Sequence, residues 1–373
     1  MKIGITCYPT YGGSGVVASE LGIELAKRGN EVHFMSYEMP FKINKYYKNI
    51  YFHEVEVLEY PLFKYPPYSL SLSVKMAEIF ENSKLDIMHV HYAIPHAASA
   101  YLTQKILGEN SNFRFVTTLH GTDITIVGNH SSFFKITKFC IENSNGVTCV
   151  SDYLKKLTID TFNIEKDIEV IYNFVDTSKY RRNSLDKNKL GIIKKNELGI
   201  IHISNFRPVK KIRNIVEIFC SIRKEINSRL ILVGDGPDFA FIKEVVSRLN
   251  LNDYVVFLGR QDNVVPLLNS ADLYLLPSKS ESFGVSALEA LSCSVPVIGT
   301  NVGGLKEVVK DRGCGYLFDP EDISGMTKAA IDILSNKSKL EKMSQEARKT
   351  ALMFDSKIII PKYIDYYKKI KNS

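Results

Sequence analysis

The sequence predicts an α/β protein built as two βα domains in series, and three observations predict it. The chain has 373 residues, more than one hydrophobic core usually organises. Strand-length apolar runs alternate with helix-periodic stretches from the start of the chain. After a polar, Lys- and Asn-rich stretch from Arg181 to Glu197, the alternation begins again. Such spacing argues for parallel sheets covered on both faces, which take ligands beyond the carboxyl ends of their strands. Two domains of this kind facing each other would share one interdomain cleft.

The elements follow in order. Ile3 to Cys7 reads as a buried strand, and Gly12-Gly13-Ser14-Gly15 leads into a helix from Val16 to Arg28. Strands are expected at Glu31–Ser36, Val55–Leu58, Ile87–Val90, Phe115–Thr118, Gly146–Val150 and Ile168–Ile171. Helices are expected between them at Ser71–Asn82, Pro95–Ile106, Ser132–Glu142 and Asp152–Thr161, with an ordered loop over Tyr60–Leu70. Arg181–Glu197 reads as the linker. The second domain then has strands at Gly199–Ser204, Arg229–Val233, Val255–Leu258, Leu273–Leu276, Val295–Gly299 and Gly315–Phe318. Its helices include Ile212–Lys224, Phe239–Leu249 and Ile323–Leu334, and the chain ends in helical material. The expected division is residues 1–180, 181–353, and a C-terminal helix over 354–373 that could pack back on the first domain.

Composition narrows the class. Apolar residues make up 45% and charged residues 24%, an ordinary globular mixture. The net charge of +7 favours anionic partners, but the lysines are spread evenly, so no nucleic-acid partner is expected. The aromatics Phe41, Tyr46, Tyr47 and Tyr51 interleave with Lys42, Lys45 and Lys48, a pattern that could touch a bilayer or a polar partner. No run of 18 apolar residues exists, so no membrane span is expected. Six cysteines without C-x-x-C spacing read as thiols in a reducing compartment, and the start of the chain reads as a strand rather than a signal peptide. The expected location is the cytoplasm.

Clusters at several strand ends could carry chemistry. Gly12-Gly13-Ser14-Gly15 lets backbone N–H groups approach an anion at a helix start, without the Lys of a P-loop or the dinucleotide glycine pattern. His120-Gly121-Thr122-Asp123 offers a hydrogen-bonding or proton-carrying group beside an acid. The spacing of His89, His91 and His96 invites a metal reading, but no carboxylate partner accompanies it, so no metal is expected. Asn205 to Lys211 carries Arg207 and Lys211, cations able to offset a departing diphosphate. Ser278 to Glu289 holds two acids around a helix start: Ser282 is the expected N-cap, with helix from Phe283 and Glu289 about two turns in. Free N–H groups near Gly284 and Val285 could hold phosphate oxygens, and the two carboxylates could grip different hydroxyls. Val302-Gly303-Gly304-Leu305 reads as a tight turn, and Gly259-Arg260-Gln261-Asp262 could border a base.

On these residues the chain resembles the retaining glycosyltransferases of the GT4 type, with the GT-B fold of two facing Rossmann-like domains. The E-x7-E arrangement from Glu281 to Glu289 carries the likeness, with Arg207 and Lys211, Gly12-Gly13, Asn173-Phe174-Val175-Asp176, and Ser292 to Pro296, where Ser294 replaces the usual Gly. Cys7 to Val17, Tyr60 to Tyr68 and Asn205 to Lys211 narrow it to the N-acetylglucosaminyl L-malate synthase family, which begins bacillithiol biosynthesis. The resemblance implies UDP-GlcNAc and L-malate as substrates, no cofactor, and products UDP and the α-glycoside. It implies Glu289 on the ribose, Glu281 on the transferred sugar, Arg207 and Lys211 on the leaving diphosphate, and phosphate contacts from Gly12, Gly13, Gly284 and Val285. His120 would hydrogen-bond the sugar, with Asp123 its neighbour. Position alone suggests Ser14, Tyr92 and Thr118 for the acceptor.

Other readings stay open on the sequence. The same chemistry could serve another small or lipid acceptor with a UDP- or GDP-sugar. A nucleotide-sugar epimerase would share the diphosphate grip but need a proton-abstracting pair. A non-catalytic nucleotide-sugar sensor would not need Arg207, Lys211, His120 and both acids together. A homo-oligomer is left open.

Overall fold

A computed structural model describes residues 1–373 apart from Tyr11, Glu59 and residues 184–189. The chain forms two compact units: Met1–Asn173 with Lys357–Ser373, and Phe174–Ser356. The crossings therefore fall at Asn173/Phe174 and Ser356/Lys357, not at 180/181 and 353/354. The described part of the Arg181–Glu197 stretch lies within the second unit rather than between units; its residues 184–189 are outside the described residues. Polar composition marks a solvated surface, and here it marked no boundary.

In the first unit the described strands are β1 (Lys2–Thr6), β2 (Glu31–Ser36), β3 (Ile50–Glu54), β4 (Ile87–His91), β5 (Phe115–Leu119), β6 (Gly146–Cys149) and β7 (Glu169–Val170). They form one sheet in the order β3-β2-β1-β4-β5-β6-β7, with every pairing parallel. The central strands β4 and β5 are buried at every position, as expected where helices cover both faces. The third strand differs from expectation. It is Ile50–Glu54, paired from Val32↔Ile50 to Ser36↔Glu54, and residues 55–58 lie outside it. An edge strand is half-exposed, so its weak apolar pattern was hidden within the Lys- and Tyr-rich run before it.

The helix Ser356–Lys371 closes this unit. Its Ile370 and Tyr366 pack on Gly146, where an added Cβ would meet Ile370 Cγ1 at 2.8 Å. The N–H of Val147 donates to the Tyr366 hydroxyl at 3.0 Å, and Lys371 pairs with Asp86.

In the second unit the described strands are β8 (Leu198–Ile203), β9 (Ser228–Val233), β10 (Val255–Phe257), β11 (Leu273–Leu276), β12 (Val297–Thr300) and β13 (Gly315–Phe318). Their order is β10-β9-β8-β11-β12-β13, again parallel. The helix Ile212–Glu225 buries Ile212, Ile215, Val216, Ile218, Phe219 and Ile222 on one face. It packs on Leu230 and Leu232 in one core. Each such side chain contributes about 1.5–3 kcal/mol on burial.

Strand order reverses between β1 and β4 in one sheet and between β8 and β11 in the other. At a reversal the connecting helices leave to opposite faces, which opens a crevice beyond the strand ends.

Candidate active site

In the second unit the reversal gathers the expected charged residues. After β8, Arg207 precedes the short 3-10 turn Pro208–Lys210, and Lys211 links that turn to the next helix. After β11 comes the loop with Ser278 and Glu281. Two contacts join the loops: the Lys279 N–H donates to the Val209 carbonyl at 2.8 Å, and Lys210 Nζ donates to Glu281 Oε1 at 2.6 Å. Arg207 is exposed beside them. The turn after β9 braces this edge. Gly234, at φ +128°, lies so close that a Cβ would fall 1.8 Å from the Ser204 carbonyl. The Gly259 carbonyl accepts from the Gly234 N–H at 2.7 Å, so the Gly259–Asp262 turn sits behind it.

Lys210 was missed in the sequence and is the lysine that meets Glu281. Lys211 has left-handed backbone, φ 52° and ψ 44°, and its Nζ lies 3.7 Å from the exposed Glu321. A run of two lysines gives no sign of which one faces inward; the backbone hand decides it.

The helix expected from Phe283 is Val285–Ser292, and Ser282 does not cap it. Gly284 is the N-cap, with φ 95°, and no side chain caps the first turn. Elsewhere Ser151, Asp322 and Asn336 cap their helices with side-chain oxygens. An uncapped start leaves N–H donors for an anion. Phe283 is instead buried against Phe354, with ring centroids 5.7 Å apart. Glu289 is the fifth residue of the helix, not two turns in, and is half-buried. The Gly303–Gly304 turn fixes Glu281 from behind: the Gly304 N–H donates to the Glu281 carbonyl at 2.9 Å, and a Cβ on Gly303 would lie 1.9 Å from that oxygen.

The first unit builds its edge differently. Gly12 is an extended N-cap for the helix Gly13–Lys27, again without a side-chain cap. Ser14 Oγ and Tyr92 Oη are hydrogen-bonded at 2.6 Å, which brings the ends of β1 and β4 together. The Tyr92 backbone holds φ 85°, strained for a non-glycine residue, and its N–H donates to the Thr118 carbonyl at 2.9 Å.

After β5, His120 Nε2 lies 2.8 Å from His91 Nδ1. Burial is the main force on every histidine here and disfavours the cation. It takes His89 down to about 3, His96 to about 4 and His120 to about 3, and holds His91 well below the usual value. These are neutral imidazoles at neutral pH. Asp123 is buried, and burial pushes its carboxyl up to about 6 against the pull of backbone donors. Its oxygens accept N–H groups from Gly121 at 2.8 Å, His120 at 3.2 Å and Ala93 at 3.2 Å. Asp123, expected as a ligand contact, thus folds the turn that carries His120.

Thr118 is corrected as an acceptor contact. It is fully buried, and its hydroxyl is engaged by His89 Nε2 and Thr148 Oγ1, both at 2.6 Å. Among the described residues, no group of three His, Cys, Asp or Glu side chains could hold a metal ion.

Comparisons with known proteins agree with this layout. The model "Glycosyltransferase Family 4" matches residues 11–179, and "Glycosyl transferases group 1" matches residues 184–350. The N-acetyl-alpha-D-glucosaminyl L-malate synthase of Bacillus anthracis is 47% identical over 369 residues, covering 98% of this chain and 96% of that protein. Two solved structures share the fold over nearly all of both chains. Sucrose-phosphate synthase from Thermosynechococcus elongatus has a TM-score of 0.81 at 20% identity, covering 99% of each chain. Anabaena HepE in complex with UDP-glucose has a TM-score of 0.80 at 20% identity, covering 99% of this chain and 100% of that one.

Proposed function

The chain belongs to the family 4 glycosyltransferases, and from that premise we propose that it transfers N-acetylglucosamine from UDP-GlcNAc to the hydroxyl of L-malate, with retention at the anomeric carbon. The Bacillus anthracis relative's name supports the sugar and the malate, and HepE in complex with UDP-glucose supports a uridine carrier. One observation carries the chemistry: the Arg207–Lys211 turn is tied to the Glu281 loop, next to an uncapped helix start, at the β8–β11 reversal.

The bond from the anomeric carbon to the β-phosphate oxygen breaks. The malate hydroxyl oxygen bonds to that carbon on the same face, and its proton passes to a phosphate oxygen of the departing UDP. The diphosphate is already a good leaving group, so what the protein must supply is compensation for its growing charge. Arg207 and Lys210 provide cations, and the geometry favours Lys210 over Lys211 for this role. N–H groups near Gly284, Val285, Gly12 and Gly13 hold phosphate oxygens. Glu289 accepts the ribose hydroxyls, and Glu281, oriented by Lys210, accepts hydroxyls of the sugar. His120 hydrogen-bonds the sugar, and the Ser14–Tyr92 pair offers hydroxyls to malate.

We place the reaction in the cytoplasm. The six cysteines are thiols rather than disulfides, five of them buried, as a reducing compartment allows. Among the described residues, no helix is long and apolar enough to cross a membrane. The test is incubation with a panel of UDP-sugars and hydroxy acids, read by mass spectrometry, with the anomeric coupling of the product read by NMR. UDP-GlcNAc with L-malate should give UDP and an α-glycoside. A β-glycoside, or preference for another pair, overturns the reading.

A further inference from the structure

We infer that His91 is a positioning residue: its Nδ1–H donates to His120 Nε2, so that His120 presents Nδ1–H as its single donor. The inference rests on the reading above for the role of His120, but its structural half stands on the free protein.

A neutral imidazole has one N–H and one lone pair. The 2.8 Å contact between His91 Nδ1 and His120 Nε2 needs one of each, so two arrangements exist. They differ at the far side of His91. Its Nε2 is buried and without a hydrogen-bond partner. If His120 donated, His91 would carry its proton on that nitrogen and leave an N–H stranded in a dry interior. If His91 donates, the stranded atom is a lone pair, which is the cheaper orphan.

His96 follows the same rule. Its Nδ1 faces the His91 carbonyl at 2.5 Å, and a carbonyl only accepts, so His96 carries its proton there. Its buried Nε2, also unpartnered, is therefore a lone pair. One consistent set of tautomers leaves no buried imidazole N–H unpaired. The ring of His91 is held by its neighbours, 4.3 Å from His89 and stacked 5.0 Å from His120. His89 in turn is fixed by the Tyr367 hydroxyl at 2.7 Å and Thr118 at 2.6 Å.

His120 Nδ1 makes no hydrogen bond among the described residues, and the residue is partly open to solvent. Held this way, the ring is a fixed neutral donor toward a sugar or acceptor oxygen. It is not a base: its lone pair is spent on His91.

The test begins with 15N-histidine spectra of the free protein, with His120→Gln assigning the signals. His120 should be protonated at Nδ1 and bare at Nε2; the opposite tautomer overturns the inference. Kinetics follow on two variants. His91→Asn puts an amide N–H near the place of Nδ1 and should keep kcat within about 5-fold. His91→Ala should lose about 10- to 100-fold in kcat, with KM for UDP-GlcNAc little changed, as misorientation of a reacting-site group does. Equal losses in both variants, at wild-type melting temperature, overturn the positioning role. If the proposed substrates are wrong, no variant turns them over, while the tautomer result still stands or falls alone.

Discussion

At the ends of β4 and β5 in the first unit, the candidate residues are neutral imidazoles and hydroxyls, with a carboxyl whose pKa burial has raised. At the ends of β8 and β11 in the second, they are a lysine, an arginine and two glutamates, held at 2.6 Å where the charges pair. Both sets occupy the same place in equivalent sheets, at the reversal of strand order. The difference teaches what each edge is prepared to meet. Neutral dipoles fixed from behind by the buried His89, His91 and Asp123 orient an uncharged reacting group with little reorganisation. The cations of the second unit wait for a charged ligand, and until it arrives Lys210 pairs with Glu281.

The sharpest way to break that contrast is at Lys210. Replacing it by Ala should lower kcat by about 100- to 1,000-fold, the range for losing one donor to a developing anion, with KM for malate little affected. Lys211→Ala should cost less than about 10-fold, because its side chain lies toward Glu321. Steady-state kinetics of the pair decide it. A larger loss at Lys211 would mean that the resting ion pair misleads about the working one.

How much of this was legible beforehand follows from the same residues. Strand-end clusters were readable because buried parallel strands are continuous apolar runs, and the polar residues after them stand out, as at Ile87–His91 and Leu273–Leu276. The crossing at Asn173/Phe174 falls in a segment that carries the family likeness, while composition pointed to Arg181–Glu197 instead. Backbone hand was not legible. Lys211 and Ser294 both adopt positive φ, 52° and 60°, where glycine is favoured, and no side-chain pattern announces it. Nor was the helix start at Val285: Ser282 has the chemistry of a cap, but the left-handed Gly284 delays the helix past it. The histidine pair was invisible because it joins residues 29 apart across neighbouring strands, and only the register His91↔Thr118 brings them together.

Glu289 sharpens the second unit's half of the comparison. Changing it to Gln keeps size and removes charge, so UDP affinity measured by calorimetry should fall about 10- to 100-fold, as for a lost hydrogen bond to a charged group. Unchanged affinity would remove the carboxylate from the ribose.

Asp123 tests the dryness of the first unit. Its folded-state pKa of about 6 stands above the ordinary carboxylate value, so the folded protein holds this proton more tightly than the unfolded chain. The contribution to stability is full below about pH 4 and is lost as pH rises through about 6. Against Asp123→Asn, which does not titrate, the wild type should therefore lose about 1–3 kcal/mol between those limits. Urea midpoints across that range measure it. A constant difference would show an ordinary carboxyl and a wetter site.

The finest probe of the first unit comes from two glycines two residues apart. At Gly15 an added Cβ would lie 2.5 Å from the Thr10 carbonyl and 2.6 Å from that of Tyr8, so Gly15→Ala forces the helix off the loop that follows β1. It should cost about 1–3 kcal/mol in thermal unfolding. At Gly13 an added Cβ meets no described atom within 4 Å, and the backbone is helical, so Gly13→Ala should change stability by no more than about 0.5 kcal/mol. Among the described residues there is thus no packing reason for glycine at position 13. If the space is kept for a phosphate, Gly13→Ala should weaken UDP-GlcNAc binding while the melting temperature stays put. If donor binding is untouched, the first unit takes no part in holding the diphosphate, and the whole charge falls to Arg207, Lys210 and the helix start at Gly284.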